Sequence, residues 1–495
     1  MTDDISPARF GAAFKAFMDA VVAAAEPPLS PLLERIRAHL GTDPTRLPVV
    51  AEEFDSFEHP NLQVALDDHL GREAELVGVA AENKRFMALS LSDLFGRGMP
   101  GRPPLAEGPV DYVNFHLADD RVLSCVQFGL YLVREGDARL VAFVTGPSGN
   151  MGPRQKVRIE VMAARAEEGA AFLAALLDAM RRLNVYRGHV ISLSPGQFGP
   201  GPQTLVAFHA LPRVARDDVV LPAGLLERIE RHTVVFSEHA ERLVAAGRSL
   251  KRGLLMYGPP GVGKTLTLMY LVGRMPGRTV MLTTGRGMGM VQAVAQMARN
   301  LAPSMVVIED VDLIAETRGQ PFSPTGPLLF ELLNEMDGLR DDCDVIFALT
   351  TNRPDILEPS LAARPGRIDL AVELPLPDAE GRRRLFALYA RGLELRDVDL
   401  DALVARTEGV SPAYVKELLR KAALLAAEAG EGAVTGAHLE TAMADLDEGG
   451  RLAQRLLGFR PLLEPPEGPA GVHAGVATGF PAAGAWTATR TDRPG

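Results

Sequence analysis

The strongest constraint on the fold of this chain is a glycine-rich stretch at residues 258–265. It reads Gly258-Pro259-Pro260-Gly261-Val262-Gly263-Lys264-Thr265, which fits the pattern G-x-x-x-x-G-K-[ST] without a gap. An apolar run typical of a strand, LLMY, precedes it, and an apolar helical segment, LTLMYLVGRM, follows it. Glycines let the backbone turn so that successive N–H groups point inward, and the helix presents its positive end to the same place. The sequence therefore predicts a phosphate-binding loop between a strand and a helix.

The last residues of this loop predict its ligands. The Lys264 ammonium group is expected to reach the β- and γ-phosphates of a nucleotide, and the Thr265 hydroxyl is expected to bind Mg²⁺. Leu266, the next residue of the helix, is counted with the loop as nucleotide-binding. We therefore expect ATP and Mg²⁺ as ligands.

A second strand-like run, MVVIE at 305–309, ends in two adjacent acids, Glu309 and Asp310. Carboxylates at the end of a buried strand are costly unless something positive lies beside them. By position, Glu309 is expected to hold Mg²⁺ through water, and Asp310 to polarise the water that attacks the phosphate. Asp312 is expected to cap the following helix.

The pattern of apolar runs divides the chain into four blocks. Residues 1–225 show helical periodicity and then short strands, which predicts an α+β domain with no recognised motif. Residues 226–376 alternate strand-like runs with helices, which predicts an α/β domain with a parallel sheet. Residues 377–448 predict a small helical domain, and the Gly-, Ala- and Pro-rich residues 449–495 predict a disordered tail.

Five segments of the chain resemble the AAA subfamily of the AAA+ ATPases in order and spacing. They are RGLLMYGPPGVGKT, VVIEDVDLIA, LLFELLNEMDGL, TTNRPDILEPSLAARPGRID and EGVSPAYVKELLRKA, within residues 230–448. The resemblance implies a P-loop α/β domain with a five-stranded parallel sheet and a C-terminal helical lid. It also implies hydrolysis of ATP to ADP and phosphate, and a hexameric ring.

The resemblance also assigns roles to residues outside the loop. Asn352 corresponds to sensor 1, an amide that orients the attacking water. Arg364 and Arg367 correspond to an arginine pair that acts from the neighbouring subunit, where guanidinium groups suit transition-state charge. Gly409 and Ala413, with Ser411 between them, correspond to the lid segment near the ribose and adenine.

Two features depart from the usual pattern of the family. The acids occur as Glu then Asp, an order that resembles the mitochondrial inner-membrane AAA translocase group, although nothing here resembles the membrane segment of that group. Residues 283–290, TTGRGMGM, occupy the place of the pore loop that grips protein substrates, yet they contain no aromatic residue. Met288 or Met290 could grip a chain, or the glycines could simply make a mobile loop.

Composition limits the partners. The formal net charge of −11 gives no electrostatic reason to expect nucleic-acid binding. No stretch approaches the roughly 18 apolar residues that cross a bilayer, and the acidic start is unlike a signal peptide, so a cytoplasmic location is the expectation.

We expect a ring that remodels a protein bound by residues 1–225. A nucleotide-gated assembly factor with slow hydrolysis is the alternative, and an ATPase acting on nucleic acid is less favoured.

Overall fold

The computed structural model of the chain describes residues 7–24, 31–71, 74–80, 90–95, 106–147, 156–193, 206–283, 291–312, 334–335, 343–355 and 367–448. The tail predicted at 449–495 lies outside these residues. Two large sheets and a small helical unit make up the described part of the chain.

The first sheet, called here the N-terminal sheet, has seven strands whose pairs are all antiparallel. Their order is β1-β7-β6-β5-β2-β3, and β4 pairs with β5. The strands are β1 (Val49–Asp55), β2 (Glu75–Ala80), β3 (Ala106–Gly108), β4 (Asp111–His116), β5 (Val122–Glu135), β6 (Ala138–Thr145) and β7 (Lys156–Met162).

Helices cover both faces of the N-terminal sheet. They are α2 (Pro31–Leu40), α3 (His59–Leu70) and α4 (Ala166–Arg182). A further helix, α1 (Pro7–Ala24), contributes no residue to the cores of this sheet, and its residues 10–20 are exposed. One core lies between the sheet and α3 and α4, and a second lies under α2. The central strands β5 and β6 are therefore buried on both faces, which explains their continuous apolar runs. None of the helices described is both long and apolar enough to span a membrane.

The second sheet has the order β14-β10-β13-β12-β11-β8-β9. All its neighbouring strands are parallel except β8 and β9. The strands are β8 (Val190–Leu193), β9 (Val206–Phe208), β10 (Arg252–Tyr257), β11 (Thr279–Thr283), β12 (Ser304–Ile308), β13 (Val345–Thr351) and β14 (Leu370–Glu373).

The five strands predicted for this sheet are present as β10 to β14, and the predicted α/β class is confirmed. The expectation of five strands is nevertheless wrong, because β8 and β9 extend the edge beside β11. Sheet membership therefore changes between β7 and β8 rather than at residue 225. The runs that form β8 and β9 have the same short apolar pattern as the preceding strands, so the sequence does not reveal which sheet they join.

Helices pack on both faces of the second sheet. They are α5 (Leu225–Glu230), α8 (Lys264–Arg274) and α9 (Val291–Asn300). A π-helical segment, Arg231–Val235, follows α5 and leads into two short helices, α6 (Phe236–Glu238) and α7 (Ala240–Ala245), that have no buried residue. The chain thus places α8 directly after the glycine-rich loop, as predicted.

The third unit, the lid, has its own apolar core. It contains α10 (Ala379–Tyr389), α11 (Leu400–Arg406), α12 (Pro412–Glu428) and α13 (Gly436–Glu448), with a small parallel sheet of β15 (Glu394–Arg396) and β16 (Ala433–Thr435). Two of these helices begin directly after a residue whose side chain caps them. Asp378 accepts a hydrogen bond from the Gly381 amide at 2.7 Å, and Ser411 accepts one from the Tyr414 amide at 3.2 Å.

The N-terminal and second sheets are joined by a buried polar junction just before β8. The Val185 amide donates to Asn61 Oδ1 at 2.9 Å, and the hydroxyl of the fully buried Tyr186 donates to the Phe57 carbonyl. Arg187 adds a hydrogen bond to the Ala302 carbonyl at 3.0 Å. These contacts tie the start of α3 to the edge of the second sheet.

We predict that Tyr186→Phe lowers the free energy of unfolding by about 1–3 kcal/mol, because the buried Phe57 carbonyl loses its donor. Urea unfolding of the full chain measures this change. The matched control is Tyr112→Phe, since Tyr112 is 54% exposed, and its effect should stay within about 0.5 kcal/mol. Equal effects of the two substitutions would contradict the role given to the Tyr186 hydroxyl.

Candidate active site

The glycine-rich loop, the acidic pair and Asn352 meet at the carboxyl ends of the parallel strands of the second sheet. The glycine-rich loop follows β10, Glu309 and Asp310 follow β12, and Asn352 follows β13. Strand β13 lies between β10 and β12, and all three are parallel, so their carboxyl ends lie side by side. Sheet topology thus brings together three segments that are far apart in the sequence, in the position where open α/β sheets bind ligands.

Two positions in the loop require glycine. Gly258 has φ 146°, and a Cβ atom there would lie 2.2 Å from the Leu374 carbonyl oxygen. Gly263, immediately before α8, has φ 99°, which L-residues rarely adopt. The loop therefore turns sharply into α8, and the amino end of that helix faces the site.

Lys264 is a buried cation whose direct partners are all uncharged. Lys264 is only 8% exposed. Its Nζ atom donates to the carbonyls of Gly258 and Pro259 at 2.8 and 2.9 Å and to Asn352 Oδ1 at 2.7 Å. Burial lowers the pKa of Lys264, while the charges of Asp310 and Asp312 act in the opposite direction. A positive group held in this way is suited to an anionic ligand such as a phosphate.

Asn352 connects Lys264 to the acidic pair. Its Oδ1 atom accepts from Lys264, and its Nδ2 group donates to Asp310 Oδ1 at 3.0 Å. Asp310 has φ 51°, an uncommon conformation for a residue other than glycine. This turn directs the chain out of β12 beside the end of β13. The amide predicted to orient water is thus in contact with the carboxylate predicted to activate it.

Glu309 faces a different member of the loop. Its Oε1 atom accepts a hydrogen bond from the Thr265 hydroxyl. The two predicted Mg²⁺ ligands therefore touch each other, and Asp310 contacts Asn352 instead. The two neighbouring acids therefore have different partners, and their predicted roles stay predictions.

Asp312 has a contact that the sequence pattern does not indicate. It is 6% exposed, and its Oδ1 atom accepts from the Thr351 hydroxyl at 2.7 Å and from the Asn352 amide at 3.3 Å. The hydroxyl of Thr350, the neighbour of Thr351 in β13, accepts from the Asp310 backbone amide at 3.1 Å. Hydrogen bonds between the end of β13 and the segment after β12 thus hold Asn352 in place.

A cavity of about 410 Å³ opens above the loop. The predicted residues that line it are Pro260, Gly261, Val262, Gly263, Lys264, Thr265, Leu266, Asp310, Asn352 and Ala413. The lining residues that sequence reasoning missed are Asp218, Val219, Val220, Leu221, Thr267, Leu385, Tyr389, Pro412 and Lys416. Most of these belong to the segment before α5 or to the lid, and they carry no contiguous motif. Besides the loop and the strand ends, the cavity is therefore lined by the segment before α5 and by the lid.

The lid contacts the loop directly. The Ala413 amide, in the first turn of α12, donates to the Gly261 carbonyl at 3.2 Å. Gly409 is not among the residues that line the cavity. Its φ of 77° instead makes the turn that leads into α12. Of the lid residues predicted to bind nucleotide, Ala413 is at the site and Gly409 shapes the approach to it.

The two predicted arginines are not both described. Arg364 and residues 284–290 lie outside the described part of the chain. Arg367 lies beside the opposite end of β10 from the loop, because a Cβ atom on Gly253 would be 2.0 Å from the Arg367 carbonyl oxygen. Gly253 and Gly258 are separated by roughly 16 Å of extended strand. The side chain of Arg367 therefore does not reach the cavity of its own chain.

Family comparison agrees with this geometry. Residues 254–376 match the family described as ATPase family associated with various cellular activities (AAA), and residues 397–441 match the AAA+ lid domain. The chain carries an AAA ATPase domain and its lid. The predicted family and fold class are thereby confirmed, together with nucleotide binding and ATP hydrolysis as the reaction of the domain. Strands β8 and β9 of the second sheet precede the residues matched to the AAA family.

Curated relatives share the same region. An ATP-dependent zinc metalloprotease FtsH 3 of Sphaerobacter thermophilus is 37% identical over 251 residues, which are 48% of this chain and 51% of the relative. The FtsH 1 protein of Conexibacter woesei is 34% identical over 244 residues, 46% of this chain and 37% of that protein. FtsH of Thermus thermophilus is 37% identical over 246 residues, 47% of this chain and 39% of that protein. The chain thus spans between about a third and a half of the length of these relatives.

We predict that Asp312→Ala lowers kcat for ATP hydrolysis on the order of 10- to 100-fold, because Asn352 loses the contacts that orient it. Asp312→Asn is the matched control, since its amide oxygen can still accept from Thr351 and Asn352, and it should keep most of the activity. Steady-state hydrolysis and binding of a fluorescent ATP analogue separate kcat from affinity. If the affinity for the ATP analogue falls by the same factor as kcat, Asp312 supports the fold of the site rather than the orientation of Asn352.

Proposed function

We propose that this chain is an ATP-driven ring that remodels a protein substrate. The observation that carries the proposal is the hydrogen-bonded series from Lys264 through Asn352 to Asp310. It puts a phosphate-binding cation, an orienting amide and a carboxylate in contact at the mouth of one cavity. The relatives named as ATP-dependent proteases support coupling of hydrolysis to work on proteins.

The residues at the cavity fit Mg-ATP. Lys264 has no carboxylate within ion-pair distance among the described residues, and its uncharged partners can be exchanged for phosphate oxygens. The Thr265 hydroxyl and the Glu309 carboxylate supply oxygen atoms, which Mg²⁺ prefers as ligands. Thr265 and Glu309 would hold Mg²⁺, which when bound neutralises charge on the phosphates.

In the proposed reaction, Asp310 accepts a proton from a water molecule that Asn352 orients. The water oxygen forms a bond to the γ-phosphorus, and the bond from that phosphorus to the β–γ bridging oxygen breaks. ADP and inorganic phosphate are the products. Lys264 stabilises the negative charge on the phosphate oxygens throughout.

The position of Arg367 supports an assembly of several subunits. Its backbone lies beside the start of β10, far from the loop of its own chain, and directly before the edge strand β14. An arginine that contributes to catalysis from there must do so at the site of a second copy. We propose that Arg364 and Arg367 act in this way within a hexameric ring.

Residues 1–225 are proposed to recognise the protein substrate or partner, and a cytoplasmic location stays a prediction. Residues 283–290 would contact the substrate if the ring threads protein. The alternative of an assembly factor with slow hydrolysis makes a different prediction for turnover. Under this alternative, the wild type would hydrolyse ATP barely faster than a chain whose catalytic acids are substituted.

We predict that Asp310→Asn retains ATP binding and loses about 100-fold or more of kcat, because the amide cannot accept the proton of water. Glu309→Gln should instead raise the Mg²⁺ concentration needed for half-maximal hydrolysis. Phosphate release measured across a Mg²⁺ titration distinguishes the two effects. A chain that carries both substitutions serves as the reference without hydrolysis. If the wild type hydrolyses ATP no faster than this double variant, the alternative of an assembly factor is favoured.

We predict that mixing Arg367→Ala chains with Lys264→Ala chains restores part of the hydrolysis that each variant lacks alone. Some mixed interfaces would pair an intact loop with an intact arginine from the neighbour. Phosphate release is measured over a series of mixing ratios, and co-assembly is checked by pull-down of differently tagged chains. Co-assembled mixtures that stay inactive at every ratio would argue against action between subunits.

A further inference from the structure

A second cavity, of about 310 Å³, lies where the N-terminal sheet meets the second sheet. It is called here the junction groove. Its walls are β1 with the turn that follows it, the last turns of α4, and one face of α9. It shares no lining residue with the nucleotide cavity. The groove is therefore a separate feature, and it borders the helix that begins directly after residues 284–290.

The floor of the groove is apolar. Phe54 and Phe57 come from β1 and the following turn, Leu177 and Met180 from α4, and Met297 from α9. The two phenylalanines are half-buried, so part of each ring faces the groove. Methionine side chains adapt to different apolar shapes. This floor suits an apolar side chain of a binding partner.

The rim of the groove is acidic. Glu53, Asp55 and Glu58 lie along one wall, and Arg181 is on the wall formed by α4. Glu53 pairs with Arg158 at 3.3 Å, whereas Asp55 makes no ion pair with any residue in the described ranges. The carboxyl end of α4 adds the negative end of a helix dipole. The groove therefore favours a positive charge over a negative one.

Glu58 shows the same preference from within the groove. Its Oε2 atom accepts from the side-chain NH₂ group of Asn61 at 2.6 Å. Burial raises the pKa of Glu58, the hydrogen bond from Asn61 lowers it, and the charge of Asp55 raises it further. Holding a carboxylate in a half-buried place beside another acid costs free energy. A cation from a partner would offset that cost.

Amide side chains complete the rim. Asn184, Gln296 and Asn300 line the groove, and each amide carries both donors and an acceptor. Asn184 Oδ1 accepts from the Tyr186 backbone amide at 3.0 Å. Gln296 and Asn300 are exposed on the same face of α9. Such groups match the alternating N–H and C=O groups of a polypeptide main chain.

We propose that the junction groove binds a polypeptide segment of a separate protein that carries arginine or lysine next to apolar side chains. The apolar floor takes the apolar side chains, the acidic rim takes the cation, and the amides meet the main chain. The acidic rim excludes nucleic acid, whose phosphates it would repel. The proposal does not rest on hydrolysis of ATP, since the groove and the nucleotide site share no residue.

The test uses the full chain and a short fluorescein-labelled peptide in which leucine and arginine alternate. Fluorescence anisotropy should show saturable binding. Asp55→Lys should weaken it about tenfold or more, because an attraction at the rim becomes a repulsion. Gln296→Trp, a change without charge on an exposed position, should weaken binding by filling the groove. The matched control is Glu428→Lys at the exposed end of α12, which should change the affinity less than about twofold.

Three results would overturn the proposal. Equal weakening by Asp55→Lys and Glu428→Lys would mean that the peptide binds an acidic chain without a defined place. Unchanged binding to Gln296→Trp would mean that the groove is not where it binds. Self-association that Asp55→Lys abolishes, without peptide binding by the wild type, would make the groove a contact between copies of this chain. Circular dichroism of each variant confirms that the fold is kept.

Discussion

The site is organised around one buried positive charge, the ammonium group of Lys264. The protein gives it three uncharged oxygen atoms as direct partners and places Asp310 and Asp312 further away. Burial alone would favour the neutral amine, and the two acids oppose that tendency. The result is a cation whose environment within the chain is incomplete and which a phosphate would complete. The loop supplies two of these oxygen atoms, and Asn352 at the end of β13 supplies the third.

Features carried by contiguous residues could be predicted from the sequence. The loop at 258–265, the start of α8 and the caps at Asp378 and Ser411 depend on local backbone geometry, which residue types reveal directly. Strands β10 to β13 were also predictable, because strands of a covered parallel sheet are apolar on both faces. The edge strand β14 instead alternates buried and exposed residues, the other common strand pattern. The role of Asn352 beside Lys264 and Asp310 was predicted only from the resemblance to a family, because no spacing along the chain indicates it.

Features that depend on pairing between distant segments could not be predicted. Strand β8 joins the second sheet by pairing with β11, where Val190 lies beside Val280, 90 positions further along the chain, and β9 joins through β8. Asp312 meets Thr351 only because β12 and β13 are neighbours. Lys416 lines the cavity because the lid folds back onto the loop. None of these relations leaves a local pattern, since register and domain packing are set by tertiary structure.

The hydrogen bond from the Ala413 amide to the Gly261 carbonyl joins two bodies that otherwise have separate cores. A nucleotide that alters the backbone of the loop must therefore alter the orientation that α12 prefers. Thermodynamic linkage makes this relation reciprocal: whatever stabilises one orientation of α12 changes nucleotide affinity by the same factor. A neighbour that presses on the lid could thus tighten or release nucleotide without touching it.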